Sequence, residues 1–164
     1  MQPTTLTESL VMDGKDNRVR VSRGMPVSQS ALFGVIVDFE SYPEFVSGVK
    51  TAKIVSSSDT ECHVQFGLEV IRSFEYELRF FIQGESQVRW ELVKSSFFQK
   101  NEGAWLLSPI DSSHTEATYE LEVGFNFLVP KIITSKLVAS NLPHMLKEFE
   151  ARALKVRKST NGRG

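Results

Sequence analysis

Tyr76, Tyr119 and Asn101 are the side chains of this 164-residue sequence best suited to meet a small molecule. Phe74, Tyr76, Leu78, Phe80 and Ile82 alternate with Glu75, Glu77 and Arg79. Ala117, Tyr119, Leu121, Val123, Phe125 and Phe127 alternate in the same way with Thr118, Glu120 and Glu122. Successive strand residues face opposite ways, so both tyrosines fall on an apolar face. There a phenol offers an aromatic body with one polar tip. Such a tip can hydrogen-bond a carbonyl or hydroxyl of a guest, and it is a weak candidate for proton transfer. Asn101 and Glu102, near the start of another strand, are the ambiguous inward polar candidates.

Other chemistry is sparse. Glu69, Glu75, Glu77, Glu91, Glu120 and Glu122 all lie opposite the aromatic face, on the expected wet side, with Arg79 and Arg89 as cross-strand partners. His63, His114 and His144 have no metal-ligand spacing, and Cys62 and His63 are adjacent, hence on opposite faces. Neither a GxxxxGK[ST] nor a GxGxxG phosphate loop is present. No metal and no cofactor is expected. Cys62 reads as a small core or surface thiol.

The elements that position these residues follow from periodicity. Asn17 to Arg23 alternates as a short strand, and Val27 to Asp38 repeats at helical spacing behind the N-cap Ser28. Asp38 to Gly48 is a short piece broken by Pro43, with Tyr42 and Phe45 packing it against the sheet edge. From Val49 to Phe127 every segment alternates: an antiparallel meander with one wet face. Its inward residues include Phe66, Leu68, Tyr76, Leu78, Phe80, Trp90, Tyr119, Leu121 and Phe125, while Trp105 reads as a plug near Tyr42 and Pro43. Pro130 to Arg157 reads as one terminal helix, with Pro130 in its first turn and Pro143 kinking or dividing it. Val138, Leu142, Met145, Leu146, Phe149, Ala153 and Val156 form its apolar stripe. Ile133 and Leu137 are out of phase with that stripe.

Composition sets outer bounds. Hydrophobic content of 41%, charged content of 24% and a net charge of −1 describe an ordinary globular chain with no global field drawing it to nucleic acid or to an anionic membrane. One cysteine excludes an internal disulfide and fits a reducing cytoplasm. No apolar run approaches a membrane span. Residues 1–16 read as a flexible arm or minor edge element, 17–157 as one domain, and 158–164 as a disordered polar tail.

The order strand, helix, short helix, about six to seven strands and long helix resembles the α+β helix-grip fold of the START-like superfamily. Asp38-Phe39-Glu40-Ser41-Tyr42-Pro43-Glu44-Phe45-Val46 is similar to a stretch of its coenzyme Q-binding and ribosome-association toxin branch. Gly103-Ala104-Trp105 with Ser108-Pro109, and Gly124-Phe125-Asn126-Phe127 before the long helix, resemble two further motifs of that branch. The resemblance implies a curved antiparallel sheet wrapped around the terminal helix. It also implies a cavity for a lipid, quinone or polyketide-like molecule, lined by the inward sheet residues with Val138, Leu142, Met145 and Phe149. Phe97 and Phe98 depart from the branch's small residues; they could gate the pocket or form an exposed tip touching a membrane or partner. Three readings stay open: a non-enzymatic carrier, a cyclase or dehydratase using the same cavity, and a ribosome- or protein-binding module. The last would use Arg18, Arg20, Arg23, Lys155, Arg157, Lys158 and Arg163.

Overall fold

The structure is a computed structural model that describes residues 6–12, 16–136 and 142–161, with side chains described for 18–136 and 144–156. Eight strands form one antiparallel sheet: β1 (Leu6–Met12), β2 (Asp16–Met25), β3 (Val49–Ser57), β4 (Glu61–Val70), β5 (Arg72–Gln83), β6 (Gln87–Ser95), β7 (Phe98–Asp111) and β8 (His114–Phe125). Their spatial order is β1-β2-β8-β7-β6-β5-β4-β3. β3 to β8 are joined as successive hairpins, and β2 pairs with β8, setting Val19 against Leu121 and Val21 against Tyr119. The first long strand thus lies beside the last.

Between β2 and β3 the chain forms α1 (Gln29–Ile36) and a 3-10 helix (Phe39–Glu44). Ser28 caps α1 as its sequence suggests: its hydroxyl accepts from the Ala31 N–H at 3.2 Å. Leu32, Val35 and Ile36 turn that helix to the core. Beyond β8 lie α2 (Lys131–Lys136) and α3 (Leu142–Asn161).

Leu6–Met12 pairs along β2 as an eighth strand among the described residues, the minor edge element that the leader allowed. Helix is described over Lys131–Lys136 and over Leu142–Asn161, and residues 137–141 between them lie outside the described residues. Pro143 lies at the start of the described part of α3. Pro130 precedes α2, and its carbonyl accepts from the N–H groups of Ile133 (3.0 Å) and Thr134 (3.3 Å). Ile133, out of phase with the stripe on α3, is buried. Phe127, expected on the inner face of the last strand, lies past its end and is 86% exposed. β8 stops at Phe125 because Asn126 begins a turn: its side-chain carbonyl accepts from the Leu128 N–H and its backbone carbonyl from the Val129 N–H. Val156, placed on the apolar stripe, is 42% exposed. Val138 lies outside the described residues, as does the side chain of Leu142.

α3 packs on the inner face through Leu146, Phe149 and Ala153, all buried. Among the described residues no helix is long and apolar enough to cross a membrane.

Candidate functional site

The inner sheet face is aromatic because four strands each contribute a large ring at alternate positions. β4 supplies Phe66, β5 Tyr76 and Phe80, β6 Trp90, and β8 Tyr119. Leu68, Leu78 and Leu121 fill the same face and are buried; Tyr76 and Phe125 are half-buried. α3 sets Phe149 against these residues, with Met145 half-buried beside it.

Seven rings form a closed circuit. Tyr42 meets Phe66 (5.8 Å between centroids), Phe66 meets Phe80 (6.1 Å), and Phe80 meets Trp90 (5.9 Å). Trp90 meets Tyr119 (5.4 Å), Tyr119 meets Trp105 (5.0 Å), Trp105 meets Phe149 (5.0 Å), and Phe149 returns to Tyr42 (5.3 Å). Tyr76 joins through Phe66 at 5.5 Å. These are contact distances, so the proposed lining is, ring by ring, in contact with itself.

Tyr42 and Trp105 are members that sequence reading did not assign to the site. The 3-10 helix packs on the edge strand β3, as expected, and Tyr42 also reaches over the inner face to Phe66. No periodic signal in a six-residue 3-10 helix could reveal that. Trp105 follows the inward parity of Asn101 and Leu107, a signal that was present in the sequence.

The polar atoms in this enclosure are few. Tyr42 donates to the Ile36 carbonyl at 2.5 Å. Trp90 Nε1 donates to Asn101 Oδ1 at 3.1 Å, so Asn101 faces inward and is engaged. Glu102 faces out and pairs with Lys100. The hydroxyls of Tyr76 and Tyr119 have no hydrogen-bond partner among the described residues. Burial raises the pKa of all three phenols, and their mutual proximity adds to the shift: Tyr119 and Tyr76 both act on Tyr42, and Tyr76 acts on Tyr119. They stay protonated donors at neutral pH.

Phe97 and Phe98 are buried at 1% and 5% exposure. Phe97 stacks on Phe74 at 3.9 Å, and Phe98 packs against Tyr76 at 5.1 Å and Phe125 at 5.5 Å. They close one end of the aromatic enclosure rather than forming an exposed tip.

Charged groups sit mainly outside. Glu122 pairs with Lys100 (2.9 Å) and Arg18 (3.2 Å), Glu120 with Arg20 (3.5 Å), and Glu69 with Lys50 (3.9 Å). The expected partners Arg79 and Arg89 do not serve here. The β2–β8 pairing supplies Arg18 and Arg20 instead, while Arg89 lies over the Phe81 ring. A surface recess of about 510 Å³ opens on this outer side, among Arg18, Arg20, Arg89, Glu102, Glu120 and Glu122. It is charged and lies across the sheet from the aromatic enclosure.

One ionic pair does face inward. Arg23 Nη2 donates to Glu150 Oε2 at 2.9 Å in the seam between β2 and α3, with side chains 15% and 14% exposed. Arg18, Arg20 and Arg23 are therefore all engaged within the chain. Burial, with a smaller contribution from Glu40, raises the Cys62 thiol pKa, which makes it a poor nucleophile. No group of three His, Cys, Asp or Glu residues able to hold a metal occurs among the described residues.

Comparison with solved structures finds the same fold. A START superfamily protein from Mycobacterium smegmatis superposes with a TM-score of 0.74 at 21% identity, covering 85% of this chain and 98% of that one. A STAR-related lipid transfer protein fragment from Xanthomonas axonopodis gives 0.67 at 15% identity, over 89% and 98%. A Streptomyces aromatase/cyclase gives 0.64 at 13% identity, over 88% and 87%. At such identities the likeness is one of fold. No curated protein sequence matches the chain. The match that decides kinship is to the sequence itself. Residues 25–150 fit the family described as polyketide cyclase/dehydrase and lipid transport, and the chain belongs to that family.

Proposed function

We propose that the protein binds a small hydrophobic molecule, a lipid, quinone or polyketide-like compound, between the inner sheet face and α3, and carries it unchanged. The observation that carries this reading is the pair of phenols at Tyr76 and Tyr119. They sit in an aromatic enclosure with no described partner. A phenol hydroxyl with no described protein partner is left able to donate to a guest oxygen, a hydrogen bond worth about 1 kcal/mol. Apolar area covered by the guest contributes about 25 cal/mol per Å². Because the rings touch one another, a guest enters by parting them, and Met145 with Phe149 forms the helix side of the opening.

A raised phenol pKa supports carriage over catalysis. A general acid or base working near neutrality needs a pKa near the working pH. The runner-up is a cyclase or dehydratase in the same space, favoured by the inward position of Asn101 and by the family's description.

Native mass spectrometry of the purified protein, with organic extraction of the bound material, tests the proposal. An added mass released as a lipid or quinone is expected, and Met145→Asp should lose it while circular dichroism stays native. A folded Met145→Asp protein that keeps its guest would refute the site. Tyr76→Phe/Tyr119→Phe should weaken retention roughly thirtyfold, at about 1 kcal/mol for each of the two lost hydrogen bonds.

A further inference from the structure

Four large apolar side chains are exposed at one end of the sheet. They are Ile71 (59%), Phe127 (86%), Leu128 (73%) and Ile132 (69%). The β4–β5 turn, the β6–β7 turn and the end of β8 all lie at this end, as the antiparallel register requires. Phe74 stacks on Phe97, and the Phe97 carbonyl accepts from the Asn126 N–H at 3.0 Å, so the turns are tied together.

The exposure is built in. The turn begun by Asn126 holds Phe127 and Leu128 outward, while Ile133 anchors α2 to the core and leaves Ile132 on the outside. Ile71 is held at φ 72°, a left-handed conformation that a β-branched residue adopts only at a cost. Glycine would suit that turn better, yet an exposed isoleucine occupies it.

From the end of β8 to the first turn of α3 the charges are of one sign, whereas the β4–β5 hairpin carries Glu69 and the exposed Glu75 as well as Arg72. Residues 123–147 contain no aspartate or glutamate but include Lys131, Lys136 and Lys147. Lys131 and Lys136 are exposed and form no ion pair with a described residue. Arg72, next to Ile71, lies over the Phe74 ring at 5.6 Å. The nearest outward carboxylate on β4, Glu69, already faces Lys50.

We propose that this end of the molecule docks on an anionic lipid bilayer. Phe127, Leu128, Ile132 and Ile71 enter the headgroup layer, and Lys131, Lys136 and Arg72 meet lipid phosphates. Insertion of apolar side chains and attraction to anionic headgroups are the two contributions that interfacial binding sums, and neither is strong alone. The aromatic cluster of Phe97, Phe98 and Phe125 lies directly behind the docking residues. The inference stands whether or not the interior carries a guest.

Vesicle co-sedimentation with phosphatidylcholine, with and without phosphatidylglycerol, tests it at low and high salt. Binding to the anionic vesicles at low salt is expected, with weaker binding to neutral vesicles and at high salt. Phe127→Ser/Leu128→Ser should weaken it roughly tenfold or more. Lys131→Glu/Lys136→Glu should do likewise. Ile71→Gly suits its own turn, so it keeps the fold and should show a smaller loss in the same direction. Absence of binding to anionic vesicles at low salt overturns the proposal, as does unchanged binding by the folded serine variant. Self-association in sedimentation velocity that the serine variant abolishes would assign the patch to a second copy, and would equally overturn it.

Discussion

At Gly103 a single hydrogen atom sets the position of the Trp90 indole. A methyl group there would stand 2.2 Å from the Glu120 carbonyl oxygen and 2.6 Å from the Trp90 ring. Both are hard neighbours: one is backbone, and the other is a ring held by its bond to Asn101 and by contacts to Phe80 and Tyr119. β6 and β7 pair only from Gln87 to Trp90 on one side and Gly103 to Leu106 on the other, so the indole crosses where the strands part. Gly103→Ala should cost about 2–3 kcal/mol, as overpacking of a filled core does. Urea denaturation with tryptophan fluorescence would show it. An unchanged midpoint would mean that β7 and β8 yield freely at this point, and the aromatic circuit would then be softer than its contacts imply. The glycine was visible in the sequence as part of Gly103-Ala104-Trp105, but its reason was not. That reason is a cross-strand neighbour, fixed only by register.

At the scale of elements, α3 is held to the sheet by alternating polar and apolar contacts. Leu146, Phe149 and Ala153 bury the apolar side, while Glu148, Glu150 and Arg152 flank it. Glu148 accepts from the Ser47 N–H and hydroxyl (2.6 Å to the latter), Glu150 from Arg23, and Arg152 donates to Glu44 at 3.1 Å. Arg23–Glu150 is the most enclosed of these. Glu150→Ala would leave a guanidinium in the seam with its Nε already unpartnered. The expected loss is about 2–4 kcal/mol, because removing one member strands the other. Arg23→Met/Glu150→Leu should recover most of it, since an apolar pair needs no ionic compensation. Thermal unfolding of the three proteins decides the matter. If the double variant is as unstable as Glu150→Ala, the pair contributes more than the cost of stranding its partner.

Much of this element scale was legible beforehand. Period 2 identified the inner faces of β4, β5, β6 and β8, and period 3.6 identified Met145, Leu146, Phe149 and Ala153. What stayed hidden was long-range: that β2 would lie beside β8, which redirects Arg18 and Arg20 to Glu122 and Glu120, and that Arg23 and Glu150 would meet 127 residues apart. The end of β8 was also missed. Alternation continues through Phe127, and only a local hydrogen bond to Asn126 shows that the strand has stopped.

The whole molecule places every tyrosine it has, Tyr42, Tyr76 and Tyr119, in one interior, and that governs its response to alkali. Lysine pairs such as Lys50–Glu69 are lost at high pH, but exposed pairs of this kind contribute little. The phenols matter more. Each has its folded pKa raised, chiefly by burial, above the value of about 10 that an unfolded tyrosine shows. Below pH 10 both states hold the proton, so the contribution to stability is fully present. Above it the unfolded chain releases protons that the folded chain retains, and stability falls as pH rises through that window. The slope approaches about 1.4 kcal/mol per pH unit for each tyrosine. Three acting together would exhaust a typical domain stability of about 5–15 kcal/mol within a few pH units. Phenolate absorbance near 295 nm should therefore be absent through pH 10 and then appear in one step, together with loss of the sheet's circular dichroism. Independent titration of one or more tyrosines near pH 10 in a still-folded protein would place those hydroxyls in water. A bound guest that accepts their hydrogen bonds should move the single step to higher pH, which ties the titration of the interior phenols to the proposed cargo.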